Sequence, residues 1–264
     1  MEELFPTSGA LFVPENAGSL KPLKLSVVVP SFNEAENIAA LLADIYANLL
    51  PALGESFEVI VVDDDSPDQT WQVAAGLTES LPNLRVLRRH SERGLASAVI
   101  RGWQAARGEY LGTINADFQH PPQVLARMCA LADKADLVVA SRYCEDGSVG
   151  DWGLYRRMAS RAAWLLGRLM VPAIFRRVTD PLSGCYLVRR SAIAGVVFHP
   201  AGYKTLIEIL ASGRVSTIAE TGYCFERRRA GESKALPKQY WLYLRHLGRL
   251  RRSLRRRGAG EPTH

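Results

Sequence analysis

Five short, mostly apolar runs, separated by stretches with helical spacing, fill the first half of the chain. The runs are Leu25 to Pro30, Phe57 to Val62, Leu84 to Leu87, Tyr110 to Ile114 and Leu137 to Ala140. They lack the in-out alternation of a half-exposed strand, so each is expected to be covered on both faces. Between the first two, Ile38, Leu41, Leu42, Ile45 and Leu49 recur at helical spacing. Further helices are expected through Trp71, Val73 and Leu77 to near Pro82, from Gly94 to Ala106, and from Pro122 onward. Strands alternating with helices predict an α/β fold, with a mostly parallel sheet and helices on both faces.

Each run ends on a polar cluster: Asn33-Glu34, Asp63-Asp64-Asp65, Arg93-Gly94, Asn115 to Gln119, and Ser141-Arg142. Open α/β sheets bind ligands at the carboxyl ends of their strands. Any one cluster is explained by turn or capping chemistry, as for Ser31 and Asp68, but five in register point to a ligand rim. The fourth carries the most chemistry. Asn115, Asp117 and Gln119 alternate, and in an extended chain they would point the same way. Three oxygen donors on one face suit a hard cation such as Mg²⁺ or Mn²⁺. The competing reading is a polar loop after a buried strand. No G-x-G-x-x-G follows the first run, and no P-loop, HExxH or G-x-S-x-G occurs, which disfavours nicotinamide, P-loop, zinc-protease and serine-hydrolase chemistry. His120, beside a Pro pair, reads as a turn residue.

The chain has 264 residues, 47% hydrophobic and 23% charged, enough for one large α/β core. Cysteines 129, 144, 185 and 224 form no CxxC and no tight spacing, so neither a zinc site nor a disulfide framework is expected, and a reducing, cytoplasmic setting is. Residues 1–22, with acids and prolines, are expected to be a flexible leader rather than a signal peptide. The longest apolar stretch, Ala162 to Phe175, contains Arg168 and Pro172, so no membrane span is expected.

The second half changes character. Tyr155 to Met170 reads as an amphipathic helix carrying Arg156, Arg157, Arg161 and Arg168. A strand over Cys185 to Val188, a helix from Tyr203 to Ala211 and a strand through Val215 to Phe225 follow. Glu226 to Lys234 is a basic loop, suited to clamping phosphates. From Lys234 to Gly260 there are nine Lys or Arg and no acid, although the whole chain is only +6. In this tail Tyr240, Tyr243, Leu247, Leu250 and Leu254 form one stripe with the arginines largely off it. It reads either as an in-plane helix on an anionic membrane surface or as a core-packing helix with a solvated basic end. No nucleic-acid module accompanies it, so no nucleic-acid partner is expected.

Pro30-Ser31-Phe32-Asn33-Glu34-Ala35-Glu36-Asn37, Val62-Asp63-Asp64-Asp65-Ser66-Pro67-Asp68 and Asn115-Ala116-Asp117-Phe118-Gln119-His120-Pro121-Pro122 resemble the motifs of family 2 glycosyltransferases. More narrowly they resemble the dolichol-phosphate (polyprenol-phosphate) mannosyltransferase group. Ser141-Arg142-Tyr143, Asp180 to Gly184, Gly202-Tyr203-Lys204, Arg228 and Gly231 to Lys234 continue the match in order. The resemblance implies a GT-A-like domain over residues 23–234, followed by a basic amphipathic tail, 235–264, at the membrane surface. It implies inverting transfer of a hexose, mannose first, to a polyprenyl or dolichyl phosphate at the cytoplasmic membrane face by a peripherally bound enzyme. GDP-mannose is the first expected donor and UDP-glucose the second, and there is room for a membrane subunit as helper.

Carried over, Pro30, Phe32 and Glu34 would hold the nucleoside, and Asp63, with Val61 or Asp64, would read the base. Ala116 would line the donor site. Asp117 and Gln119, with Asn115, would ligate the metal. Arg142, Arg228 and Lys234 would bind the donor diphosphate and acceptor phosphate, with Asp117 and Arg142 the catalytic pair. Asn115 departs from the family, which usually has Asp there, and its amide brings one negative charge fewer. Two other readings stay open. One is a saccharide or protein acceptor, which needs a carboxylate base such as Asp180 or Glu208; the other is a silent nucleotide-sugar-binding partner protein.

Overall fold

The structure, a computed structural model, describes residues 10–15, 23–151, 153–199, 204–229 and 237–258. In chain order the elements are β1 (Leu11–Phe12), β2 (Leu23–Ser31), α1 (Ala35–Leu53), β3 (Phe57–Asp63), α2 (Thr70–Ala75), β4 (Leu84–Arg88) and α3 (Leu95–Ala105). Then come β5 (Gly108–Thr113), α4 (Gln123–Ala132), β6 (Leu137–Ser141), α5 (Leu154–Met170), α6 (Pro172–Phe175) and β7 (Tyr186–Arg189). The remainder are α7 (Arg190–Ile193), β8 (Val197–Phe198), α8 (Thr205–Ser212), β9 (Ile218–Gly222) and α9 (Pro237–Gly258).

The apolar runs become a seven-stranded sheet in the order β4-β3-β2-β5-β7-β6-β9. Every neighbouring pair is parallel except those involving β7, which runs antiparallel between β5 and β6. Val27, Val28 and Val29 of β2 and Val59 to Val62 of β3 have no exposed surface, as continuous apolar strands require. α1 packs beside α2 and α4, whereas α3 lies on β2 and β3.

The amino-terminal edge of the sheet is locked by one buried carboxylate. Glu58 accepts hydrogen bonds from Ser26 Oγ (2.6 Å), Arg107 N (2.6 Å), Arg85 Nη1 (2.9 Å) and Arg107 Nε (3.0 Å). β5 starts here, earlier than the apolar run indicates, because Gly108 tolerates very close approach to β2. A Cβ at Gly108 would sit 2.4 Å from Ser26 N, and the backbone there has no room to yield.

Two expectations change. α2 stops at Ala75 rather than running to near Pro82, because Thr78 and Ser80 turn their hydroxyls onto the Ala75 and Leu77 carbonyls and compete with the helix. Within the stretch read as a flexible leader, Leu11–Phe12 pairs antiparallel with Val197–Phe198, and Val13 is fully buried. Residues 1–9 and 16–22 lie outside the described residues. In the tail, α9 buries Tyr243, Leu247 and Leu250, and Tyr243 Oη donates to Ala163 O of α5 (2.9 Å). Its core-packing reading holds for that stripe, while Tyr240, Trp241 and Leu244 remain exposed.

Gly108→Ala is expected to destabilise the fold by about 1–3 kcal/mol through overpacking. Thermal unfolding measures this, and an unchanged Tm would contradict the close approach.

Candidate active site

The carboxyl ends of β2 to β6 carry the polar clusters to one rim, as expected. The fourth cluster is built differently from its sequence reading. β5 ends at Thr113, and residues 116–120 turn instead of continuing extended, with Phe118 in the left-handed region (φ 60°). Asn115, Asp117 and Gln119 therefore do not alternate along a strand face. The turn brings Gln119 N back to donate to Asp117 Oδ1 (3.2 Å). Asn115 lies against the 180–184 turn, where a Cβ on Gly184 would be 3.0 Å from its Nδ2 and 3.3 Å from His120 Cε1. Ala116 is buried beneath.

The basic loop closes over this turn. Glu226 N donates to Gln119 O (3.1 Å), and the Arg229 guanidinium stacks 3.7 Å from the Phe118 ring centre. Arg228 Nη2 donates to Asp117 Oδ2 (2.8 Å), and its Nη1 lies 3.5 Å from Glu34 Oε1. One guanidinium thus links the first cluster to the fourth. Asp117 is only 5% exposed, and burial pushes its carboxyl pKa up against the opposing charge of Arg228. Glu34, also buried, accepts from Asn37 Nδ2 (2.8 Å). Phe32 is half-buried, with Arg93 5.5 Å from its ring centre, and Pro30 is buried in β2.

The second cluster is engaged in the fold itself. Asp63 accepts from Ser31 Oγ (2.9 Å), Ser66 Oγ (2.7 Å) and Ser66 N (2.8 Å). Asp64 accepts from Arg89 Nε (2.7 Å) and Gly94 N (2.7 Å), tying β3 to the entry of α3. Val61 has no exposed surface. These three residues shape the rim, and their side chains are already occupied or covered.

The fifth cluster holds the cationic pole. Arg142 donates through Nε and Nη2 to both carboxylate oxygens of Asp180 (2.7 and 2.8 Å). Its guanidinium lies 5.4 Å from the Tyr143 ring centre and 5.6 Å from that of Phe225. Burial opposes its charge, but the Asp180 hydrogen bonds and charge overcome it and hold its pKa above the ordinary value. Arg156, 5.0 Å from the Phe225 ring centre, has its pKa lowered by burial and by Arg142, with Asp117 pulling the other way. Lys204 Nζ donates to Leu182 O (2.6 Å) in the 180–184 turn. His120 stacks on Tyr223 at 5.0 Å, and burial lowers its pKa to about 3, so it is neutral.

The role of Asp180 and the placement of Arg156 and Lys204 escaped the sequence reading. Arg156 stood out only as one of four arginines on a helix, and the contact that selects it comes from a residue 69 positions further on, Phe225. Asp180 is 1% exposed and clamped by Arg142, and Glu208 is buried accepting from His199 N (2.7 Å) and Arg249 Nη2 (3.1 Å). Neither is placed to act as a base for a saccharide or protein acceptor. Lys234 and Gly202-Tyr203 lie outside the described residues. Among the described residues no three His, Cys, Asp or Glu side chains are arranged to hold a metal. By residue type Asn115, Asp117 and Gln119 offer two amides and one carboxylate, and of the three the structure places Asp117 against a cation, Arg228. That chemistry fits a hard divalent ion.

The family model described as "Glycosyl transferase family 2" matches residues 26–196, from within β2 through β3 to β6 and the 180–184 turn. The chain belongs to this family. A dolichol-phosphate mannosyltransferase of Pyrococcus furiosus is 42% identical over 229 residues, covering 86% of this chain and 64% of that protein's length. One from Saccharomyces cerevisiae is 31% identical over 238 residues, 86% of this chain and 87% of that one. Among solved structures, glucosyl-3-phosphoglycerate synthase of Mycobacterium tuberculosis, in complex with Mn²⁺, UDP and glucosyl-3-phosphoglycerate, superposes with a TM-score of 0.61. It is 22% identical and covers 91% of this chain and 81% of that one, so the likeness is one of fold. In this family 2 glycosyltransferase the rim of polar clusters is therefore the edge of a GT-A-like sheet.

Removing Asp180 would leave a buried guanidinium without its countercharge. Asp180→Ala is expected to cost about 3–5 kcal/mol, read as a fall in the denaturation midpoint. A midpoint within error of the parent would remove the pair from its structural role.

Proposed function

We propose that this glycosyltransferase moves a mannosyl group, with inversion, from a nucleoside-diphosphate sugar to a polyprenyl phosphate at a membrane surface. The observation that carries the reading is the charge arrangement of the rim. Three buried carboxylates and three arginines meet there: Asp117 pairs with Arg228 and lies near Arg156, Glu34 shares Arg228, and Asp180 pairs with Arg142, which in turn neighbours Arg156. A phosphate acceptor is already ionised near neutral pH, so no strong base is needed, whereas a hydroxyl acceptor would need one. The names of the relatives support mannose and a polyprenyl phosphate, with GDP-mannose the first donor and UDP-glucose the second.

Asp117, with the side-chain oxygens of Asn115 and Gln119, would hold Mg²⁺ or Mn²⁺, which when bound neutralises charge developing on the departing diphosphate. Arg228 shares Asp117 with that site and gains a better partner when a diphosphate arrives. Arg142, pre-aligned by Asp180, and Arg156 supply fixed positive charge for the donor diphosphate and acceptor phosphate. Pro30, Phe32 and Glu34 would flank the nucleoside.

A membrane location is supported by the second half of the chain. Leu154, Met158, Leu165 and Leu169 of α5 and Tyr240, Trp241 and Leu244 of α9 are exposed. An apolar groove of about 520 Å³ runs between the two helices, lined by Met158, Ala162, Leu166 and Leu244. Both helices also carry several arginines in their sequence, the composition of helices resting on anionic lipid. No helix among the described residues is long and apolar enough to cross a membrane, which leaves room for a membrane subunit as helper.

The purified protein should carry label from GDP-mannose into the organic phase with Mg²⁺ or Mn²⁺ and polyprenyl phosphate. Donor binding without turnover would instead favour the silent partner reading. Asp117→Asn is expected to lower the rate by about 100-fold or more, whereas Asn115→Asp keeps or raises it; full activity in Asp117→Asn would sink the metal role. Arg228→Gln should tighten binding of Mn²⁺ alone, read by electron paramagnetic resonance, while weakening nucleoside diphosphate binding. Unchanged Mn²⁺ affinity would show that the guanidinium and the metal do not compete.

A further inference from the structure

The proposed chemistry leaves the Gly202-Tyr203-Lys204 stretch of the resemblance without a task. Lys204 precedes α8, and its Nζ reaches back to donate to Leu182 O at 2.6 Å. Leu182 is the middle of a five-residue turn, 180–184, whose two ends do different work. At one end Asp180 clamps Arg142 at 2.7 and 2.8 Å. At the other, Gly184 packs against the Asn115 amide, with 3.0 Å from a Cβ position to Nδ2. The turn closes on itself through Ser183 N to Asp180 O (3.1 Å), so its ends move together. A cation gripping its central carbonyl is a strut behind both poles of the site.

We propose that Lys204 is a positioning residue for the transfer, fixing through Leu182 O both the Arg142 guanidinium and the Asn115 side chain.

The charges around Lys204 give this role a pH-dependent readout. The charged and titratable groups facing Lys204 are Arg142 at the end of β6, Arg156 on α5, Asp180 in the turn and His120 after β5. Burial first, then Arg142 and Arg156, lower its pKa to about 7, with Asp180 opposing. His120 stays neutral across this range, so its ring does not supply the proton change. The sign follows. In the empty protein Lys204 is charged below pH 7 and neutral above it, and a nearby diphosphate raises its pKa and draws in a proton. Affinity for the anion is therefore highest at low pH and falls as pH rises through about 7, by at most about tenfold per pH unit for one proton.

The kinetic arm of the test rests on the proposed transfer reaction; the binding arm does not. In the first, Lys204→Met is expected to lower kcat by about 10- to 100-fold, with a smaller change in KM, and Lys204→Arg to restore part of it. In the second, GDP with Mg²⁺ is titrated calorimetrically into the full chain between about pH 6 and about pH 8, in two buffers of different ionisation enthalpy. The parent protein should take up more protons than Lys204→Arg, which keeps its charge throughout and should lose the corresponding slope of affinity with pH. GDP's own titration is common to both and cancels. Wild-type kcat in Lys204→Met, or the same proton uptake in Lys204→Arg as in the parent, overturns the proposal. Should Lys204→Met not fold, the parent and Lys204→Arg comparison decides alone. Absence of transfer by the parent, with the proton difference intact, would fault the proposed reaction and not the role of Lys204.

Discussion

A guanidinium sealed from water must bring its countercharge with it, and Arg142 with Asp180 is that arrangement at the centre of this site. Desolvating two charges costs several kcal/mol each, so such a pair persists only with good geometry and satisfied hydrogen bonds. Here both carboxylate oxygens are used, and Tyr143 and Phe225 lie within cation–π reach of the guanidinium. The pair joins the end of β6 to the 180–184 turn, and that turn in turn meets Asn115 and Lys204. Phe225 also carries Arg156 and touches His120, at 5.0 and 5.7 Å between centres. The cationic pole is therefore assembled before any substrate arrives, which is the condition under which fixed charges accelerate a reaction without reorganisation.

The acidic pole is organised on a different principle. Asp117 is held by a neighbour on a loop, Arg228, rather than by an element of the sheet. Arg229 on the Phe118 ring and Glu226 on Gln119 O dock the same loop. One pole is rigid and the other is closed by a segment that sheet pairing does not hold. Binding and release of a diphosphate would be felt mainly at the second.

The strands and their order of polar clusters were legible in the sequence because they depend on local pattern: mostly apolar runs and where they stop. The turn at 116–120 was not, since a left-handed Phe is uncommon and is sustained here by burial and by the Arg229 stack, both tertiary. The engagement of Asp63 and Asp64 in turn chemistry was visible as a competing reading for any strand-end acid, and the structure favours it. Arg156 and Lys204 were hidden for another reason. Their significance comes from what the second half of the chain packs against, and spacing within a helix carries no record of that. The tail's stripe was legible, but burying Tyr243 and Leu247 against the domain uses part of it for packing.

The reversed direction of β7 has a geometric consequence. In an all-parallel sheet the ends of β5 and β6 could be adjacent, at the separation of one pair of hydrogen-bonded strands. With β7 between them, Thr113 and Ser141 end two strand spacings apart, about 10 Å. β7 also presents its start, not its finish, to the rim, so the loop entering it fills the floor of the gap. The 180–184 turn, which leads into β7, is met by Asn115 at one end and by Arg142 at the other, from strands that are not neighbours.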